Sequence, residues 1–286
     1  MKTWMVVVFL IASVAAFSVV FLLSQMGETS IEVEPEEPST NATGTQGRPP
    51  SIAVAIYSGK GTWNESVRAL QKMFAWMNYT FELVEAEEIN GGGLCSFSVL
   101  CVPGGDMYQY SLDISDAGRE NVRRFVRGGG GYMGVCGGAY FASERVVWRG
   151  SQLQMTPLGL FPGTAEGPVD EVAPYPGYGM CCIEVSNRTH PATELEPEAI
   201  WVLYYWGPAL LPEEGSDVGV LGRYAAVGKP AIVAFDYGSG RVFLVGAHPE
   251  IEEDSDRDGG SFASELDDQG SDWGLMEKAV GWLIGG

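Results

Sequence analysis

FVRGGGGYMGVCGGAYF, residues Phe125–Phe141, decides how this chain folds. A helix-like segment ends in four glycines, Gly128 to Gly131, and a short apolar run, Tyr132 to Val135, follows. Then come Gly134-Val135-Cys136-Gly137-Gly138 and a second helix-like run, Ala139 to Ala142. A G-x-C-x-G between a strand and a helix is the thiol counterpart of a nucleophile elbow. The turn is too sharp for side chains at its flanks, so glycines stand there. The helix N-terminus is expected to face the sulfur and favour thiolate over thiol. The plainer alternative is a core cysteine beside a Gly-rich turn.

Two distant stretches give the elbow partners. Arg241 to Glu250, RVFLVGAHPE, reads as a buried strand that ends in His248-Pro249-Glu250. The chain has two histidines, His190 and His248. A strand-end histidine followed by a carboxylate suits a general base and its orienter. Ser98 to Asp106, SVLCVPGGD, reads as a strand opening into a Gly-Gly turn, whose N–H groups suit an oxyanion.

The order P-G-G, G-x-C-x-G, H-P-E resembles the class I glutamine amidotransferase fold. More closely, Leu158–Pro168, Tyr204-Tyr205-Trp206-Gly207 and Gly238 to Glu250 resemble the N-terminal, amidotransferase-like domain of biotin-protein ligases. The likeness runs from about Ser51 to the C-terminus. It implies a flavodoxin-like, three-layer α/β sandwich and a triad of Cys136, His248 and Glu250. Gly105 and Gly137 are then the oxyanion donors, and Gly104, Asp106 and Tyr140 the substrate contacts. No Gly-Arg-rich biotinyl-adenylate loop is present, so the resemblance implies the accessory domain standing alone, without biotinylation. Class I amidotransferases usually carry a glutamine soon after the elbow; here the residues are Gly138-Ala139-Tyr140. The expected reaction is hydrolysis or acyl transfer at an amide or thioester of a small molecule or peptide, with no cofactor required. A non-catalytic binding module on the same fold is the alternative.

The chain divides into three parts. Trp4 to Leu23 is an uncharged apolar run of 20 residues, the length of a helix that crosses a bilayer. Lys2 precedes it and Glu28, Glu32, Glu34, Glu36 and Glu37 follow, a bias that places the body outside the cytoplasm. Residues 1–26 are therefore read as a membrane anchor, with a cleaved signal and secretion as the alternative. Residues 27–50, rich in Glu, Pro, Thr and Ser, read as a disordered stalk. Residues 51–286 form the α/β domain. Sequons at Asn41, Asn64, Asn78 and Asn187 agree with export. Outside a cell, disulfides among Cys95, Cys101, Cys181 and Cys182 are permitted; buried thiols are the alternative.

Net charge is −20 and the isoelectric point about 4.4. Residues 27–50 and 250–272 together carry −13 of it. With no basic patch to track phosphates, nucleic acid is not an expected partner. Asp254, Asp256, Asp258 and Glu265 match the spacing D-x-D-x-D-G-x5-E of a calcium loop. A solvated acidic loop is the alternative.

In the body, Ile52 to Tyr57, Thr80 to Val84 and Phe97 to Val102 read as strands. Thr62 and Glu65 read as a capping box that opens a helix buried through Val67, Leu70, Met73, Phe74 and Met77. Asp106 to Ser111 reads as a loop and about Ser115 to Arg127 as a helix. Val146 to Gly179 reads mostly as a loop that walls the pocket. Four strands, antiparallel at one end, are expected between Cys181 and Phe235, and a helix from about Asp272 to Ile284.

Overall fold

The structure, a computed structural model, describes residues 53–252, 255–266 and 270–285. The apolar run Trp4–Leu23, the stalk, the sequon at Asn41 and Asp254 lie outside them. Among the described residues no helix is long and apolar enough to cross a membrane.

The chain first lays down β1 (Ala53–Tyr57), α1 (Asn64–Trp76), β2 (Thr80–Val84), α2 (Ala86–Gly91), β3 (Val99–Val102), α3 (Met107–Asp113) and α4 (Asp116–Arg127). Next come β4 (Gly131–Val135), α5 (Gly137–Ala142), β5 (Ser143–Trp148), β6 (Ser151–Gln152), β7 (Phe161–Gly167), β8 (Gly179–Val185) and β9 (Ala199–Tyr204). It ends with β10 (Ala209–Pro212), β11 (Gly219–Tyr224), β12 (Pro230–Tyr237), β13 (Gly240–Val245) and α6 (Trp273–Ile284). Nine strands form one sheet in the order β2-β1-β3-β4-β13-β12-β11-β8-β9. The pairs from β2 to β13 are all parallel, the doubly wound order 2-1-3-4-5. From β13 to β9 every pair is antiparallel.

The inner parallel strands are apolar throughout because both faces are covered. On one face α1 and α6 pack against Val54, Ile56, Met133 and Val245. On the other, α2 to α5 cover Ala55, Tyr57, Leu100 and Leu244. Met276, Ala279, Val280 and Leu283 form the expected buried stripe of α6. The register sets Val102 opposite Gly134 and Val135 opposite Val245. The three segments that follow β3, β4 and β13 therefore leave the sheet at one edge, where such sheets hold their ligands.

Two local expectations are corrected and one is refined. Asp106 to Ser111 is not a loop: the Asp106 carboxylate accepts from the N–H groups of Tyr108 and Gln109 and so starts α3. Val146 to Gly179 is mostly loop, as expected, but it also carries strands: the end of β5, β6 and β7 join β10 in a second sheet, ordered β10-β7-β5-β6. The Thr62–Glu65 capping box does not form. Trp63 is the N-cap of α1, and the Thr62 hydroxyl donates to the Gly59 carbonyl at 2.9 Å. None of the five cysteines is in a disulfide.

Candidate active site

Cys136 stands between β4 and α5 with φ 46° and ψ −100°, a backbone strain typical of functional turns. The turn is pinned on both sides. The Cys136 N–H donates to the Val245 carbonyl at 2.9 Å and the Gly138 N–H to the Pro103 carbonyl at 3.0 Å. Gly137 lies against the loop after β3. A Cβ there would meet the Gly105 carbonyl oxygen and approach Gly105 N to 2.7 Å, so no larger residue fits. Among the described residues, the Gly105 and Gly137 N–H groups donate to no other protein group.

β13 delivers His248 to the same place. Its N–H donates to the Leu203 carbonyl at 2.8 Å, which ties the loop to β9. The ring is 1 % exposed. Nδ1 lies 2.9 Å from Glu250 Oε1, and Nε2 lies 3.3 Å from the Tyr205 carbonyl oxygen. The Cys136 thiol donates to that same carbonyl, at 3.5 Å, so thiol and imidazole converge on one oxygen. Burial alone would push the imidazole pKa down. Charge and hydrogen bonding from Cys136 and Glu250 outweigh it and hold His248 well above the ordinary histidine value.

Glu250 is fully buried and has a second donor that sequence reasoning missed. The Ser66 hydroxyl donates to Glu250 Oε1 at 2.6 Å, and Ser66 Oγ accepts from the Gly104 N–H at 3.0 Å. One chain of hydrogen bonds therefore joins the Gly-Gly turn, α1, the acid and the imidazole. A signal for Ser66 was present: a small polar residue on the apolar stripe of α1, in line with Leu70 and Met73.

Cys136, His248 and Gly105 face a cavity of about 570 Å³. Its walls are mainly aromatic: Trp63, Tyr108, Tyr140, Trp148, Tyr205 and Trp206. Tyr140 is held by its hydroxyl, which donates to the Trp206 carbonyl at 3.0 Å. Trp206 takes a positive φ of 61°, which turns two successive carbonyls, of Tyr205 and Trp206, onto Cys136 and Tyr140.

Of the residues expected from sequence, Cys136, His248, Glu250, Gly105 and Gly137 come together. Gly104 adjoins them, but its N–H is taken by Ser66 and a Cβ there would sit 2.5 Å from the His248 ring. Asp106 lines the cavity while one carboxylate oxygen caps α3. Trp63 and Trp148 were not anticipated, since a tryptophan before a helix or in a presumed loop carries no pocket signal. The acidic loop lies elsewhere. Asp258 accepts from the Glu252 and Gly260 N–H groups, and Glu265 accepts from the Tyr178 hydroxyl at 2.6 Å. Among the described residues no group of three or more His, Cys, Asp or Glu is placed to hold a metal ion.

The family model described as biotin-protein ligase, N terminal, matches residues 52–270. The chain belongs to that family. Within it, a biotin–protein ligase of Schizosaccharomyces pombe is 27 % identical over 214 residues, 69 % of this chain and 33 % of that protein. An uncharacterized protein of Chlamydia muridarum is 30 % identical over 131 residues, 42 % of this chain and 50 % of that one. The chain thus spans a third to a half of the length of these relatives. Among solved structures, PurLQS of Thermotoga maritima superposes with a TM-score of 0.56 at 15 % identity, covering 82 % of this chain and 99 % of that one. A putative ThuA-like protein of Bacteroides uniformis gives 0.54 at 14 % identity, covering 84 % and 94 %. A glutamine amidotransferase of T. maritima gives 0.50 at 13 % identity, covering 82 % and 99 %. This biotin-protein ligase N-terminal domain therefore has a fold of class I glutamine amidotransferase type.

Proposed function

We propose that this protein is a cysteine-dependent hydrolase or acyl transferase acting on an amide or thioester. The observation that carries the reading is the convergence of the Cys136 thiol and His248 Nε2 on the Tyr205 carbonyl, with Nδ1 2.9 Å from Glu250 Oε1. Cys136 sulfur attacks the carbonyl carbon, and the thiol proton resides on His248 Nε2. Glu250 holds the Nδ1–H and steadies the imidazolium. The tetrahedral oxygen accepts from the Gly105 and Gly137 N–H groups, each worth about 3 kcal/mol in comparable sites. The C–N or C–S bond then breaks, and the leaving amine or thiol takes the proton from His248. Water or another acceptor cleaves the S-acyl enzyme and regenerates the thiol.

The test is alkylation mapped by mass spectrometry. Cys136, although only 6 % exposed, is expected to react with iodoacetamide near neutral pH faster than the exposed Cys95. Cys136→Ala is expected to abolish turnover of acyl substrates. Faster labelling of Cys95 would favour the alternative, a binding module in which the aromatic cavity holds a ligand and Cys136 is idle.

The proposal also seats the domain outside a membrane, tethered through Trp4–Leu23. Its supports are the charge bias around that run and the surface position of the sequon asparagines Asn64 and Asn78. Protease added to intact cells is expected to release the domain; complete protection would overturn this part.

A further inference from the structure

We propose that the acyl group taken by Cys136 is uncharged and bears a ring, and that free α-amino acids such as glutamine are refused. This deepens the hydrolase reading and rests on it for turnover, although the binding half stands on the cavity alone.

The volume, about 570 Å³, suits a small organic molecule. The walls present rings, and two of their polar ends are engaged by the protein itself. The Tyr140 hydroxyl is held by the Trp206 carbonyl, and the Trp206 indole N–H by the Gly177 carbonyl at 3.1 Å. The rings form a connected surface that reaches the chemistry. Trp206 and Tyr205 have centroids 4.4 Å apart, Tyr205 and Trp63 5.3 Å, and Trp63 stands edge-on to His248 at 5.1 Å. A planar group attached to the scissile carbonyl meets ring faces and edges at the spacings aromatic pairs prefer.

The charges point the same way. Among the described residues, no Lys or Arg lines the cavity. Arg149 comes near but stacks on Tyr175 at 4.8 Å, and Tyr175 in turn packs on Trp206. The charged groups of the lining are the Asp106 carboxylate and the His248 imidazole, and the latter is already engaged by Glu250 and the Tyr205 carbonyl. An α-carboxylate bound beside Asp106 would be desolvated next to a like charge with no Lys or Arg to pair with, which binding sites avoid. In place of a Lys or Arg for the α-carboxylate of glutamine, this lining offers rings.

Two measurements test the proposal. Binding of 2-phenylacetamide and of glutamine to Cys136→Ala is compared by calorimetry, with Cys136→Ser as a second variant should the first fold poorly. Phenylacetamide is expected to bind about tenfold or more tighter; equal or tighter binding of glutamine overturns the proposal. Turnover by the unaltered protein is then compared on the 4-nitroanilides of phenylacetic acid and of the γ-carboxyl of glutamate. A preference of about 100-fold in kcat/KM for the phenylacetyl compound is expected. Equal turnover of both overturns the selectivity and leaves the nucleophile standing. Turnover of neither, with phenylacetamide still bound selectively, removes the nucleophile and leaves the cavity assignment standing.

Discussion

Ser66 is a serine without exposure on the buried face of a helix, hydrogen-bonded in both directions. Ser66→Ala leaves the Gly104 N–H without its acceptor and takes a donor from Glu250. The expected cost is about 1–3 kcal/mol of unfolding free energy, read from the urea midpoint, together with a fall in kcat/KM as the Gly-Gly turn loosens. An unchanged midpoint would mean that water replaces the hydroxyl. Glu250→Gln addresses the imidazole directly. With the carboxylate gone, one of the two influences that hold His248 above the ordinary histidine value disappears. Its NMR titration midpoint is expected to move down, a clean experiment in a chain with two histidines.

At the scale of elements, the junction of β4 and α5 is the least tolerant place. Gly137→Ala would drive a methyl group into the Gly105 backbone, which has no rotamer through which to yield. Overpacking of this kind costs about 1–3 kcal/mol, and it pushes apart the two N–H donors proposed for the oxyanion. Calorimetric unfolding and kcat are expected to fall together; a variant that loses neither would show that the two loops separate freely. The elbow was legible because its glycines mark a turn, and β13 because a buried strand ends in one of two histidines. The α3 helix was not, because its start depends on the Asp106 carboxylate folding back onto its own backbone. β7 was hidden by Pro162, Gly163 and Gly167, which read as turn residues until β5 and β10 pair on either side. Tertiary pairing overrode local preference there.

For the whole molecule, the raised His248 value links stability to pH. The folded state binds that proton more tightly than the unfolded chain, whose histidine titrates near pH 6.5. The stability it contributes is fully present below that pH and is lost as pH rises through the folded value. The gap in unfolding free energy between the protein and His248→Gln is therefore expected to be widest in mild acid and to narrow in alkali. A gap that widens with pH would show the imidazole to be neutral in the fold. The overall plan was readable because strand-end motifs in an open parallel sheet must meet at one edge. The cavity's Trp63 and Trp148 were not, because they come from distant segments and nothing in their spacing joins them.

The bond between the Ser66 hydroxyl and Glu250 spans 184 positions, and the Glu250 carbonyl is held in turn by the Trp273 indole at the start of α6. A ribosome delivers these parts in order, Ser66 early and Trp273 almost last. A half-made chain already carries Cys136 but cannot orient an imidazole beside it. On the proposed mechanism, the thiol therefore meets its base only when synthesis is nearly finished.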